Sequence, residues 1–261
     1  MKDYNMEAKN TFDLFVNDYD RLRPQYPKAL YEDIIAYSGI KAGSKLLEIG
    51  AGTGIATTYF LGNNFQVDAI EPGANLSAFM QNKFQEYKNL KLINNDFENS
   101  TLNNDHYDLV YSATAFHWIN PEIGYTKIKH ILKPYQTVAL FWNHPFVCDE
   151  NDIVHQAIQK EYRKYFDNKK APRQFLESDL QQQVKLLSDN DFDNIETRLY
   201  YAKRQLNALD YVALLNTYSD HVLMLNKHEF QERVKNIIQA NNNVITIYDT
   251  IDLYLAQKRP E

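Results

Sequence analysis

Leu46-Leu47-Glu48-Ile49-Gly50-Ala51-Gly52-Thr53-Gly54 runs an apolar stretch straight into three glycines at alternate positions. The residues before Gly50 have the length and apolar content of a buried strand, and a helical period begins after Gly54. Glycines at such a junction permit a sharp turn and let a ligand approach the backbone with no Cβ in the way. Outward from this stretch the same rhythm repeats. Strands are expected at Lys45–Ile49, Gln66–Ile70, Leu90–Asn94, Tyr107–Tyr111 and Thr137–Trp142, with helices at Ile55–Leu61, Leu76–Tyr87 and Glu122–Leu132. Strands alternating with helices make a parallel sheet covered on both faces and joined by right-handed crossovers.

On the N-terminal side two helices are expected. One carries Phe12, Phe15, Val16 and Tyr19, and the other starts at Pro27, carries Leu30, Tyr31, Ile34 and Ile35, and stops at Gly39. Between them Arg23-Pro24-Gln25-Tyr26-Pro27 is extended by its prolines. After Asn143 the rhythm changes. Helical stretches at Asp149–Phe166 and Phe175–Leu187 precede a sixth strand at Phe192–Ala202, and helices at Leu209–Leu215 and Lys227–Ala240 precede a seventh at Val244–Ala256. The expected fold class is α/β, a doubly wound, Rossmann-like, mostly parallel sheet of seven strands with a helical lid. The expected division is a helical cap over 1–40, a ligand-binding α/β core over 41–143, a helical lid over 144–190, and strands six and seven with further lid helices over 191–261.

Composition narrows the function classes. The chain has 261 residues, 44% hydrophobic and 24% charged, which is ordinary globular usage. Its formal net charge of −6 repels phosphate backbones and anionic membranes, so neither nucleic acid nor membrane is expected as a partner. No apolar run approaches the ~20 residues that cross a bilayer. Met1–Asp20 lacks a basic-then-apolar leader pattern, and cytoplasmic residence is the expectation. The single cysteine, Cys148, excludes an internal disulfide, and the seven histidines lack the close spacing of metal ligands, so no metal is expected.

The glycine spacing bears on what the turn holds. A dinucleotide fingerprint is Gly-x-Gly-x-x-Gly, whereas here Ile55 stands where its last glycine belongs, and no P-loop Gly-Lys-Ser/Thr ending exists. Glu48 just inside the strand would repel a pyrophosphate and suits a ligand bearing an ammonium group. Glu71 ends the second strand, 21 residues after Gly50, the spacing of a carboxylate that accepts ribose hydroxyls. Asn94-Asn95-Asp96-Phe97 ends the third strand, where an acid beside an aromatic suits an adenine.

These motifs resemble the class I S-adenosylmethionine-dependent methyltransferases over roughly Leu46–Lys133. Leu46–Gly54 is similar to that family's first motif, Ala69-Ile70-Glu71-Pro72 to its second, and Asp96-Phe97 and Tyr107–Tyr111 to its third and fourth strand signatures. Arg23–Pro27, Ala115-Phe116-His117-Trp118 and Thr250–Lys258 look like its small-molecule, type-11 or trans-aconitate-type branch. The resemblance implies an antiparallel last strand, and S-adenosylmethionine as methyl donor with S-adenosylhomocysteine as product. It places Glu48, Gly50, Ala51, Gly52, Thr53 and Gly54 against the methionine moiety. Glu71 with Pro72 falls at the ribose, Asp96 and Phe97 at adenine, and Ala113 and Thr114 on the far side. Tyr19 and Arg23 close over the pocket.

Other residues carry two readings. His117 and Trp118 follow strand four, where a small-molecule substrate approaches, or they are a packing pair under a helix start. Tyr26, Trp142 and His144 rim the substrate site, or are strand-end and turn residues. The basic run from Lys160 to Arg173, including Lys169 and Lys170, is a solvated helix face or draws in an acidic substrate. Methyl transfer from a sulfonium is an in-line displacement in which positioning supplies much of the rate. A carboxylate acceptor needs no base, while a hydroxyl or ring nitrogen would find its base in His117. The expected activity is O-methylation of a small, acidic metabolite. The rival readings are a protein that binds S-adenosylmethionine without turnover, an NAD-linked oxidoreductase, and methylation of RNA or protein. Oligomeric state is not written in the sequence.

Overall fold

Leu46, Leu47, Glu48 and Ile49 of strand β1 (Lys45–Ile49) are all buried, the pattern of a strand covered on both faces. The computed structural model describes residues 14–146, 152–165 and 173–259. β1 pairs in parallel with β2 (Gln66–Ile70) on one side and with β4 (Tyr107–Ala113) on the other. β2 pairs in parallel with β3 (Leu90–Ile93), and β4 with β5 (Leu132–Phe146). With β6 (Phe192–Leu206) and β7 (Ile245–Lys258) the sheet has seven strands in the order β3-β2-β1-β4-β5-β7-β6. The β5–β7 and β7–β6 pairs are antiparallel, so the mostly parallel, doubly wound sheet expected from the sequence is the observed one. Strand order reverses between β1 and β4, and open α/β sheets bind ligands beyond the carboxyl ends of the strands at such a point.

The structure moves several boundaries. β5 begins at Leu132 rather than Thr137, pairing Leu132 with Tyr107 before a register shift sets Thr137 opposite Leu109. Pro134 and the positive φ of Tyr135 lie in that irregular stretch, which hid the pairing from a reading of regular alternation. The helix expected from Phe175 starts at Gln181, preceded by a 3-10 turn over Glu177–Leu180 in which the Asp179 carboxylate accepts from the Leu176 N–H. A short helix at Ser219–Val222 was not anticipated. The helix expected at Asp149–Phe166 is seen as Ile153–Tyr165, started by Asp152, whose Oδ1 accepts from the N–H groups of Val154 and His155. Phe12, Cys148, the first residues of that helix, and Lys169 and Lys170 lie outside the described residues.

Contacts divide the chain into two compact units. One comprises Gln25–Asn143, Leu176–Tyr200 and Ile251–Glu261. Its core joins Leu30 and Ile34 of the helix Lys28–Ser38 to Leu46, Val67, Leu109, Phe141 and Leu253 of the sheet. Aromatic rings fill this core: Tyr31 stacks on Tyr59 at 4.1 Å, and Phe60 lies 4.6 Å from Tyr111. Each fully buried side chain of this size contributes roughly 1.5–3 kcal/mol. The other unit comprises Met1–Pro24, His144–Phe175 and Tyr201–Thr250. There the helix Lys227–Ala240 packs on Ile153–Tyr165 and Ala208–Leu215, burying Ile158, Leu215, Phe230, Val234 and Ile238. Among the described residues no helix is long and apolar enough to cross a membrane, and no cluster of His, Cys, Asp or Glu is arranged to hold a metal ion.

Candidate functional site

The chain leaves β1 through Gly50, Gly52 and Gly54, all in the left-handed region at φ 70, 61 and 78°. The N–H groups of Gly50 and Ala51 both donate to the Ile70 carbonyl, which anchors the turn to the end of β2. Space enforces glycine as well as torsion. A Cβ on Gly50 would stand 2.5 Å from the Ala115 methyl, and one on Gly54 2.3 Å from the Phe84 ring. Ala51 and Thr53 of the turn are buried. Lys83, at the end of the helix Ala74–Lys83, donates from Nζ to the Thr53 carbonyl at 3.2 Å.

Glu48 is 1% exposed. Register places it beside Tyr111 of β4, whose hydroxyl donates to Glu48 Oε2 at 2.8 Å, and Thr57 donates to the same oxygen. Among the described residues, neither the buried Oε1 nor the buried Thr53 hydroxyl has a hydrogen-bond partner. Burial pushes the Glu48 carboxyl up to about 7 against the pull of the Thr57 and Tyr111 hydrogen bonds. A buried carboxylate oxygen left bare complements a cation once the group is ionised. Thr57 and Tyr111 were not anticipated as parts of the site. Their signal is only the register that sets Tyr111 opposite Glu48 and the nine residues that bring Thr57 back over it.

Glu71 is buried at the end of β2. Its Oε2 accepts from the Gly52 N–H at 2.7 Å and its Oε1 from the Gly73 N–H at 2.8 Å. These bonds orient the carboxylate at the strand end. Pro72, next to it, is exposed. Asp96 is tied locally: Oδ1 accepts from the Asn99 N–H and Oδ2 from the Asn99 side chain. The Phe97 ring is committed to the interior at 1% exposure, with the Lys127 ammonium 5.1 Å from its centroid.

The end of β4 gathers several expected residues. Ala113 is half-buried, and Thr114 follows it with φ at 54°, a strained conformation for a β-branched residue that surrounding bonds must hold. The Thr114 N–H donates to the Phe141 carbonyl, and its Oγ1 lies 2.7 Å from the Tyr26 hydroxyl and accepts from the Asn143 N–H. Tyr26, from the proline-flanked segment, is thereby brought to the point where strand order reverses. Phe116–Trp118 forms a 3-10 turn, and Asn120 then caps the helix Pro121–Ile131. His117 is exposed, its ring 5.0 Å from the half-buried Trp118, and the Trp142 indole N–H donates to His117 Nδ1 at 3.0 Å.

Tyr19, Arg23 and His144 belong to the other unit and have partners there. Arg23 donates to the Thr217 hydroxyl at 3.0 Å and to its carbonyl, and its guanidinium lies over the rings of Tyr19 and Tyr218. His144 stacks on Phe175 at 4.1 Å. In the basic run, Lys164 pairs with Glu161, and Arg173 donates to the Gln174 carbonyl.

Residues 47–140 match the family model described as a methyltransferase domain. Those residues are similar to a methyltransferase domain. An uncharacterized methyltransferase of Schizosaccharomyces pombe is 28% identical over 134 residues, 51% of this chain and 52% of that protein. The probable S-adenosylmethionine-dependent methyltransferase CRG1 of Saccharomyces cerevisiae is 28% identical over 197 residues, 70% of this chain and 65% of that one. The chain thus spans about half the length of the first curated relatives it matches. Among solved structures, phosphoethanolamine N-methyltransferase 2 of Haemonchus contortus, in complex with phosphomonomethylethanolamine and S-adenosylhomocysteine, has a TM-score of 0.56 at 14% identity, covering 95% of this chain and 58% of that one. That likeness is one of fold. The matched residues include the whole Gly50–Gly54 turn, Glu71, Asp96 and the His117 turn.

Proposed function

We propose that the protein is an S-adenosylmethionine-dependent methyltransferase acting on a small molecule. The observation that carries this reading is the bare, buried Oε1 of Glu48 beside a turn with no room for a Cβ at Gly50 or Gly54. A donor carrying both a sulfonium and an ammonium supplies the cation that this oxygen suits, and a nicotinamide dinucleotide brings phosphates that it repels. When bound, S-adenosylmethionine supplies an electrophilic methyl group on a positively charged sulfur. Glu48 and the Gly50–Gly54 turn hold its methionine part. Glu71, oriented by two backbone N–H groups, accepts from the ribose hydroxyls. Asp96 and the backbone of Phe97 flank the adenine, and Ala113 and Thr114 line the opposite side. Tyr26, His117, Trp118 and Trp142 face the acceptor.

Catalysis then rests on alignment. Holding the acceptor in line with the methyl group supplies up to roughly 7–11 kcal/mol of the barrier reduction, provided the geometry is rigid. Thr114, bound through its hydroxyl to both Tyr26 and the Asn143 backbone, gives that rigidity at the end of β4. The favoured reaction is O-methylation of a small acidic metabolite, whose carboxylate attacks without losing a proton. Titration calorimetry with S-adenosylmethionine, S-adenosylhomocysteine and NAD tests the donor. A metabolite pool incubated with methyl-labelled S-adenosylmethionine reveals the acceptor. Heat from NAD and none from the two adenosyl compounds overturns the reading.

A further inference from the structure

We propose that Trp142 fixes His117 as the tautomer protonated at Nε2, so that His117 meets the methyl acceptor as a hydrogen-bond donor and not as a base. The role rests on the methyltransferase reading; the tautomer does not.

An indole N–H donates and never accepts, so the ring nitrogen it meets at 3.0 Å must be unprotonated. A neutral imidazole carries one proton, and with Nδ1 bare that proton sits on Nε2. To take a proton at Nε2, His117 would have to carry its own proton on Nδ1, directly against the indole donor. The same opposition disfavours the doubly protonated ring.

Trp142 is in no position to yield. Its backbone N–H donates to Asp252 Oδ1 at 2.9 Å, and the other oxygen of that buried carboxylate accepts from the Tyr254 hydroxyl at 2.9 Å. The Trp142 and Tyr254 rings meet edge to face at 5.8 Å. The chain Asp252–Trp142–His117 therefore runs outward from β7 through β5 to an exposed imidazole. That imidazole is two residues beyond Ala115, the residue packed on Gly50 of the turn. A donor placed there recognises an oxygen of the acceptor next to the atom that takes the methyl group. The transfer needs no proton removed by His117: the acceptor oxygen forms its bond to the methyl carbon as the carbon–sulfur bond breaks and its electron pair returns to sulfur.

The test begins with nitrogen NMR of the intact, ligand-free protein labelled with ¹⁵N-histidine, the His117 signals being assigned by their loss in His117→Gln. The expected spectrum has Nδ1 in the unprotonated imidazole range and Nε2 in the protonated range. Trp142→Phe, which keeps a ring and loses the indole donor, moves both toward the average of the two tautomers. A protonated Nδ1 in the native protein overturns the proposal.

Kinetics with the metabolite that gains labelled methyl then reads the role. His117→Ala lowers kcat/KM about tenfold, the effect of one lost hydrogen bond. His117→Gln, whose amide N–H reaches near the position of Nε2–H, restores most of that, and the shorter His117→Asn does not. Equal losses of about a hundredfold or more in kcat for Ala and Gln are the mark of a missing base and overturn it. Failure of any metabolite to gain label removes the methyltransferase reading and the donor role with it, while the nitrogen shifts still report the ring.

Discussion

The glycine turn after β1 and the helical unit around Lys227–Ala240 bury polar atoms differently. In the helical unit several are matched. Tyr162 bonds His221 Nε2 at 2.7 Å, His221 Nδ1 meets Asp220 at 2.8 Å, His155 bonds the Thr246 carbonyl at 2.8 Å, and Arg204 pairs with the buried Asp249 at 2.9 Å. Among the described residues of that unit, Glu161 Oε2, Arg204 Nη2 and the Thr250 hydroxyl are buried without a hydrogen-bond partner. At the glycine turn Glu48 Oε1 and the Thr53 hydroxyl are buried and bare in a stretch where torsion and sterics leave no room to relax. Matched groups hold a fold together, and bare ones in a rigid frame are held ready for something from outside.

Four substitutions and one control probe this contrast. Asp249→Ala should have the largest effect, about 3–5 kcal/mol of stability lost in denaturant unfolding, because it strands Arg204. A loss below about 1 kcal/mol would mean that the pairing in the helical unit is incidental. Gly54→Ala should cost about 2–4 kcal/mol, from a left-handed torsion and a methyl driven into Phe84. Gly62→Ala, with nothing within 4 Å and an ordinary φ, is the control and should gain up to about 1 kcal/mol.

Glu48→Gln separates stability from binding. The folded carboxyl titrates near 7 and an ordinary one near 4.5, so the folded state holds the proton longer. Glu48 therefore favours the fold fully below pH ~4.5, and this contribution is lost as pH rises through about 7, an effect of up to about 3 kcal/mol. The glutamine variant lacks that dependence. Relative to the native protein it should gain stability between pH 4.5 and 8, yet bind S-adenosylmethionine about tenfold or more weakly at pH 8. Unfolding curves at both pH values and a calorimetric titration check the two signs. Parallel loss of stability and binding would make Glu48 a structural acid like Asp249. Smallest is Tyr162→Phe, which removes the bond to His221 and should cost about 1 kcal/mol with no change in donor binding.

Most of the sheet was legible before the structure. The spans expected for β1 and β2 coincide with those observed, and those of β3 and β4 differ only at their ends, because buried parallel strands are short apolar runs bounded by glycine, asparagine and proline. Glu48, Glu71 and Asp96 were singled out because each ends such a run. The parts that escaped have a common cause. Tyr111 reads as one more buried strand residue until register sets it against Glu48. The start of β5 is masked by Pro134 and a register shift. Arg23 meets Thr217 and Tyr218, which lie nearly two hundred residues along the chain.

By itself the sequence determined the alternation of strand and helix, the sharp turn at Gly50–Gly54 and the acids at three strand ends, since period, apolar content and glycine torsion are local properties. Tertiary structure decided which polar atoms are satisfied and which are left bare, and which way the proton of His117 points. Those depend on groups that meet only after folding: Tyr26 with Thr114, Tyr111 with Glu48, and Trp142 with His117. A hydrogen bond is set by distance and direction in space, and no local pattern encodes the position of a partner dozens of residues away.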